Sequence, residues 1–333
     1  MRSNRLKNLI GLPGSEFRES FKMLNLLGKR YLFFALSLLV ILPGIILLGL
    51  YGWPLSIDFK GGSLLEVAFS TEKAPSTELL LQDYSEAEIF DAQITLSKTD
   101  TESIFIIRSQ TLTQEQHIAL LETFKQKYDP TLVERRFETV GPAISQSVTS
   151  RALLAVGLSA LAVIIYITFA FRGIKHAFRY GVCAIIAMLH DIFVVLSLGA
   201  IGSRLFGWQM DSLYLTAVLT VIGFSVQDKI VVFDRIRENA PILRRVPFEK
   251  LVNHSIVQSL QRSINTQLMT SEFLLLALAL FGGVTLREMC IVLFAGLLSG
   301  TYSSIFIAAP ILVVWENKEW RTWFRKQPTG SAN

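Results

Sequence analysis

The run 213-LYLTAVLTVIGFSVQDKIVVF-233 decides how this chain must be read. As a helix it would be about 30 Å long, which matches the hydrocarbon core of a bilayer. Near its end stand two adjacent charges, Asp228 and Lys229. A charge at the bilayer centre costs at least about 2.5–3.5 kcal/mol, so charges retained there are functional candidates by default.

Working outward, five more apolar runs have spanning length: Tyr31–Tyr51, Ala152–Phe171, Gly181–Ile201, Ile264–Phe281 and Met289–Val314. Across the 333 residues, 51% are apolar and 18% charged, with a mean hydropathy of +0.45. Soluble domains carry about 25% charged residues. The composition excludes a soluble enzyme, a disordered chain and a disulfide scaffold. Cys183 and Cys290 both lie inside apolar runs, which leaves no disulfide framework or zinc cluster. The first run is too long for a signal-peptide core and is followed by Leu-Tyr-Gly-Trp, not a small-residue cleavage site, so it reads as a retained span.

The expected organisation is a segment 1–30, a first span 31–51, a polar domain 52–151, five further spans within 152–314 and a tail 315–333. Segment 1–30 holds seven Lys or Arg. Arg172, Lys175 and Arg179 follow the second span, and Arg235, Arg237, Arg244, Arg245 and Lys250 follow the fourth. Lys318, Arg321, Arg325 and Lys326 stand in the tail, against only Arg204 and Arg287 in the opposite short loops. The positive-inside rule therefore expects both termini in the cytoplasm and 52–151 outside it. All five tryptophans flank apolar runs, where an aromatic belt would sit. Residues 52–151 have a net charge of −6 and the rest +11, so the basic excess faces the membrane and is no nucleic-acid footprint. The tail from Gln327 is expected to be disordered.

The polar domain reads as β-α-β-β-α-β. Strands are expected at Ser63–Phe69, Ile89–Ser97, Ile104–Arg108 and Leu132–Thr139, with helices at Ser76–Tyr84 and Thr113–Tyr128. The second helix opens on a capping box, Thr113-x-x-Gln116. This order predicts a ferredoxin-like fold.

No nucleotide P-loop, His-Glu-x-x-His, Cys-x-x-Cys or Gly-x-Ser-x-Gly motif occurs, and no cofactor is called for. The chemistry then rests on ionisable groups inside the spans: His190, Asp191, Asp228, Lys229, Arg262 and Glu272. Asp228, late in the fourth span, and Arg262, early in the fifth, fall at comparable depth, where a pair is geometrically allowed. A proton relay and a static ion pair both satisfy that placement. Lys229 is expected to snorkel to the interface, with a local charge partner for Asp228 as the second reading. Glu272 reads as a neutral, hydrogen-bonded acid or a second protonatable site. His190-Asp191 reads as part of a hydrated interior or as a helix contact. A polar stripe on the fifth span includes Ser255, Gln258, Ser259, Arg262, Asn265, Thr266 and Thr270. Another, Ser212, Thr216, Thr220, Gly223 and Gln227, marks the fourth, with Asp228 off it. Gly296, Gly300, Ser304 and Ala308 form a small face for close helix packing.

Several segments together resemble the SecF family of bacterial protein export. Ile57-Asp58-Phe59-Lys60-Gly61-Gly62 follows the first span, and Val140-Gly141-Pro142 precedes the second. His190-Asp191 stands in the third. Gly223 to Asp228, continuing to Asp234-Arg235-Ile236-Arg237-Glu238-Asn239, covers the fourth. Asn253–Ser271, Phe281-Gly282-Gly283 and Gly300-Thr301-Tyr302-Ser303-Ser304 complete the set in order. The resemblance implies a half of a twelve-span body related to the RND superfamily. Its implied partners are SecD, the SecYEG channel with its associated components, and the translocating unfolded chain, all at the cytoplasmic membrane. It also implies use of the proton gradient, with Asp228 as the proton-linked carboxylate and Arg262 as its basic neighbour. Two departures stand beside the carboxylate: Gln227 and Lys229 replace the usual Asn and Ser or Thr, and Glu272 replaces an uncharged residue. Alternatives from other classes are half of an RND-type small-molecule or lipid exporter, a non-conducting assembly scaffold and an intramembrane hydrolase.

Overall fold

The computed structural model describes residues 25–98, 102–172, 177–281 and 284–319. Among them, five helices are long and apolar enough to cross a membrane: Leu27–Tyr51, Pro142–Ala170, Phe178–Phe206, Ser212–Asn239 and Leu286–Glu316. The expected fifth span occupies the second half of a further long helix, Phe248–Phe281. Side chains from Glu272 to Phe281 lie outside the described residues, as do the tail from Trp320 and its expected disorder.

The elements run α1 (Arg30–Tyr51), α2 (Ile57–Lys60), β1 (Gly62–Ser70), α3 (Thr77–Glu86), β2 (Gln93–Lys98), β3 (Glu102–Ser109), α4 (Gln114–Lys127) and β4 (Val133–Val140). The helices α5 (Pro142–Ala170), α6 (Ala177–Phe206), α7 (Ser212–Asn239), α8 (Phe248–Phe281), α9 (Val284–Ser303) and α10 (Ala309–Glu316) follow. A π-helical turn, Ser304–Ala308, joins α9 to α10 just ahead of Pro310. Proline cannot supply the helical N–H and crowds the preceding turn, which a widened turn accommodates.

The chain forms two compact units. One contains the four-stranded sheet, in the order β2-β3-β1-β4 with every pair antiparallel. This is the ferredoxin-like arrangement that the order of elements predicts. Alternation along β1 and β3 buries Leu65, Val67, Phe69, Phe105 and Ile107 against Leu80 and Tyr84 of α3 and Leu120 and Phe124 of α4. The capping box forms as written: Thr113 Oγ1 accepts from Gln116 N at 3.3 Å, and Gln116 Oε1 accepts from Thr113 N at 3.0 Å. One boundary moves. β2 starts at Gln93, not Ile89, because residues 87–89 close α3. Glu88 takes φ 63°, its N–H donates to Ser85 O, and Ile89 N–H donates to Tyr84 O at 2.9 Å. That is a Schellman closure with a buried apolar residue behind it.

The other unit holds most of the long helices. Two glycines of α9 let it approach α7 closely. A Cβ on Gly296 would fall 2.2 Å from Val221 Cγ2, and one on Gly300 would fall 3.3 Å from the Ser225 Cα. The small face read from the sequence thus packs within this chain, against the fourth span. In the same way Gly44 of α1 sits against the Ser197 backbone of α6, and Ser197 Oγ donates to Val40 O at 3.0 Å.

Candidate functional site

Close approach of α9 to α7 places Ser299 and Ser303, four residues apart on one helical face, opposite Ser225 and Lys229, also four apart. Between these pairs α6 presents Asp191, which is fully buried. Its Oδ1 accepts from Ser299 Oγ at 2.7 Å and lies 3.1 Å from His190 Nδ1. Its Oδ2 accepts from Ser225 Oγ at 2.6 Å, Ser303 Oγ at 2.7 Å and Lys229 Nζ at 2.8 Å. Lys229 Nζ donates further to Ser225 O at 3.1 Å and to Ser225 Oγ. Lys229 has 0% exposure. The expectation that it snorkels to the interface is therefore corrected: its stem and head are enclosed by α6, α7 and α9. A carboxylate one turn of packing away offers its charge a partner that the interface would not better. His190-Asp191 is thus a helix contact centred on an ion pair.

Asp228, the preceding residue, faces elsewhere. It is partly buried, and its Oδ2 lies 2.7 Å from Thr301 Oγ1. The same hydroxyl lies 3.0 Å from Gln267 Oε1, and Gln267 Nε2 donates to Ser271 Oγ at 3.2 Å. A hydroxyl has one proton, so Thr301 donates to Asp228 or to Gln267 but not to both at once. Arg262 is exposed, and among the described residues no ion pair joins it to Asp228. Gln227 and Gly223 are exposed on α7, as are Gln258, Asn265 and Thr266 on α8. Gln258 Oε1 also accepts from Asn239 Nδ2 at 3.0 Å, and Thr266 O accepts from Thr270 Oγ1 at 2.8 Å. The Glu272 side chain lies outside the described residues. Asp234 pairs with Arg237 at 2.6 Å and Arg235 with Glu238 at 2.7 Å, both exposed pairs three residues apart.

The motif after the first span has a structural task. Ser56 Oγ caps α2 by accepting from Asp58 N at 3.2 Å. Gly61 and Gly62 take φ 80° and 127°, values that other residues rarely adopt. A Cβ on Gly62 would fall 2.4 Å from Ser109 O. Asp58 Oδ2 then accepts from Ser212 N at 2.9 Å and Ser212 Oγ at 2.6 Å, at the first residue of α7. The carboxylate so supplies the acceptor that the N-terminus of the fourth span needs. Nearby Asp211 is pushed above the usual carboxylate range, first by burial and then, after a backbone hydrogen bond that opposes it, by the charge of Asp58. Gly141 leads into α5, which Pro142 opens at its first position.

Sequence reasoning placed Ser225, Gln267, Thr301 and Ser303 only within family-like segments, and gave neither them nor Ser299 a role at the site. The available signal was spacing of four, Ser299 with Ser303 on one helix and Ser225 with Lys229 on the other, which is visible only once their faces are paired.

Comparison with known proteins adds to this geometry. The family model for the C-terminal region of the protein export membrane proteins SecD and SecF matches residues 120–318. The protein translocase subunit SecF of Anaerolinea thermophila is 59% identical over 91% of this chain and 98% of its own length. That of Thermobaculum terrenum is 44% identical over 93% of this chain and 100% of its own length. A crystal structure of SecDF from Thermus thermophilus, described as a translocon-associated membrane protein, superposes with a TM-score of 0.77 at 31% identity. The match spans 88% of this chain and 39% of that one.

Proposed function

The chain belongs to the SecD/SecF family as a SecF protein translocase subunit, and on that footing we propose how it serves protein export. It is a multi-pass membrane protein and a transport subunit rather than an enzyme. Relatives in which both halves form one SecDF chain imply association with SecD. Our reading is that SecD covers the polar stripes of α7 and α8. The supporting observation is the exposure of Gln227 on α7, a candidate span, and of Arg262, Asn265 and Thr266 on α8, whose second half holds the expected fifth span. Lipid would penalise that surface by several kcal/mol, so protein or water must meet it. An acidic group from the partner half is the natural match for Arg262.

Asp228 is the proton-carrying group in this reading. When it is ionised, Thr301 donates to it and Gln267 loses that donor. When it is protonated, it donates to Thr301, whose own O–H then turns to donate a hydrogen bond to Gln267 Oε1. Proton gain and loss would so be felt by α8 and α9 together, which gives the helices two discrete arrangements to exchange. The sheet domain, on the far side of the membrane with both termini in the cytoplasm, would transmit the change to the chain emerging from SecYEG. The basic excess of the segments flanking the spans supports that orientation.

The test is precursor export into vesicles holding this chain with SecD, for wild type and Asp228→Asn, with and without a proton gradient. The expected result is an assembled variant that loses the gradient-dependent part of export. Export that stays gradient-dependent in Asp228→Asn would move the relay elsewhere, with Glu272 the first residue to try. Export indifferent to the gradient in wild type would favour the assembly scaffold.

A further inference from the structure

The hub around Asp191 has the composition of a site for a hard monovalent cation. One carboxylate oxygen, one hydroxyl and one backbone carbonyl converge on a single point: Asp191 Oδ2, Ser225 Oγ and Ser225 O. Ser303 Oγ stands on the same carboxylate oxygen at 2.7 Å. Each serine that donates its proton to Asp191 keeps two lone pairs free to face a positive charge. Ser225 already does both, donating to Asp191 and accepting from Lys229. Neutral oxygens with one carboxylate, closed off from water, suit an ion of single charge and oxygen preference. Among the described residues no group of three or more His, Cys, Asp or Glu converges, so no thiolate or imidazole set competes for a softer metal. The point that a free ion would occupy is taken by the Lys229 ammonium, a compact point charge with three donors for three oxygens.

We propose that Lys229 is a tethered cation that plugs an oxygen-lined monovalent-cation site formed by Asp191 Oδ2, Ser225 Oγ and Ser225 O, with Ser303 Oγ on the same carboxylate oxygen. Lys229 and Asp191 cancel one another whatever salt is present. The packing of α6, α7 and α9 around them is thereby independent of free ions. Serine at position 229 would remove the plug and add one more oxygen in its place. Among the described residues no side-chain hydrogen bond joins Asp191, Ser225, Lys229 or Ser303 to Asp228, and the test below reads stability rather than export. It stands or falls without reference to proton coupling.

The experiment uses the full chain purified in detergent. Midpoints of thermal unfolding are compared in about 0.1 M choline, potassium and sodium chloride for wild type, Lys229→Ser and the double variant Asp191→Asn, Lys229→Ser. Ligand binding to the folded state raises stability by mass action, and for a chain of this size a site filled well above its dissociation constant gives a shift of several degrees. The expected result is a wild type with the same midpoint in all three salts. Lys229→Ser should show a midpoint about 3 °C or more higher in sodium or potassium than in choline, and the double variant should show no such difference. Folding of Lys229→Ser only when sodium or potassium is supplied would support the proposal equally. A folded Lys229→Ser that ignores the cation, or a wild type with the same cation dependence, would overturn it. So would failure of Lys229→Ser to fold in any salt while the double variant folds or fails alike, because Lys229 would then be a structural partner that no free ion replaces.

Discussion

Replacing Asp191 by Asn tests the energetics of the buried hub. The change keeps the shape and one carbonyl acceptor, so either Ser299 or the pair Ser225 and Ser303 keeps an acceptor, and the other side faces the amide N–H2. What is lost is the negative charge opposite Lys229, which has 0% exposure and no water to turn to. Removing one member of a buried pair costs about 3–5 kcal/mol, because the remaining charge is left uncompensated. Hydroxyls facing the new amide N–H2 can accept from it but must turn their own protons to other acceptors, which adds to the cost. At roughly 2 °C per kcal/mol, the lower end for large domains, the midpoint of thermal unfolding should fall by about 6–10 °C. Asp191→Asn combined with Lys229→Met removes both charges at nearly constant volume, and a buried pair replaced by neutral groups is often close to neutral in stability. The double variant should therefore recover most of the loss. Unfolding of the purified full chain, followed by tryptophan fluorescence, provides the assay. A single variant within about 1 kcal/mol of wild type, or a double variant no better than the single, would refute the claim that these two charges hold one another.

Two more predictions concern the sheet domain. Asp129 is fully buried and accepts from Thr131 Oγ1 at 2.6 Å, Thr131 N at 2.9 Å and Ser70 N at 3.1 Å. The Thr131 hydroxyl first, then its N–H, hold the carboxyl below the usual range. A lowered folded value means stability present at neutral pH and lost as pH falls through and below the ordinary value of about 3.9. Asp129→Asn should flatten the acid limb of a pH–midpoint curve below about pH 4, and an unchanged limb would count against the assignment. The Tyr84 hydroxyl is buried with no hydrogen-bond partner among the described residues, and burial pushes its ionisation well up. Tyr84→Phe should leave stability unchanged or raise it by up to about 1 kcal/mol, read by urea unfolding, whereas a loss above about 1 kcal/mol would reveal an unrecognised partner.

The sheet domain was legible because its signals are local. Thr113 and Gln116 lie three residues apart, and alternation in β1 and β3 is carried by adjacent positions. The start of β2 was misplaced because Glu88 adopts a left-handed conformation that nothing in its side chain announces. In the membrane-spanning unit, the spans were legible from apolar length, and the close-packing role of Gly296 and Gly300 from their spacing. The side to which Lys229 turns was not. A lysine near the end of a span obeys two opposing tendencies, escape to the interface and pairing with a buried acid. Only the position of α6 against α7 decides between them, and that depends on contacts 38 residues apart in sequence. The same limit hid Thr301, which reaches Asp228 across 73 residues.

Adjacent residues on α7 thus meet opposite conditions, and the contrast bears on which carboxylate can work. Asp191 receives donors on both oxygens from two neighbouring helices, α7 and α9, and its counter-charge is fixed to the chain. To release any one of these bonds would leave a buried polar group unpaired, at about 1–3 kcal/mol or more each. Such a group is held in one state. Asp228 has a single described hydroxyl partner, and that hydroxyl has a second acceptor waiting at 3.0 Å. Its bonding can rearrange without orphaning Thr301, because the proton that leaves one acceptor finds the other. Only a carboxylate with this freedom can gain and lose a proton at low cost in packing. In the proposed relay, the saturated hub beside it would be the fixed frame, keeping α6, α7 and α9 together while the interactions of Asp228 change on another face of α7.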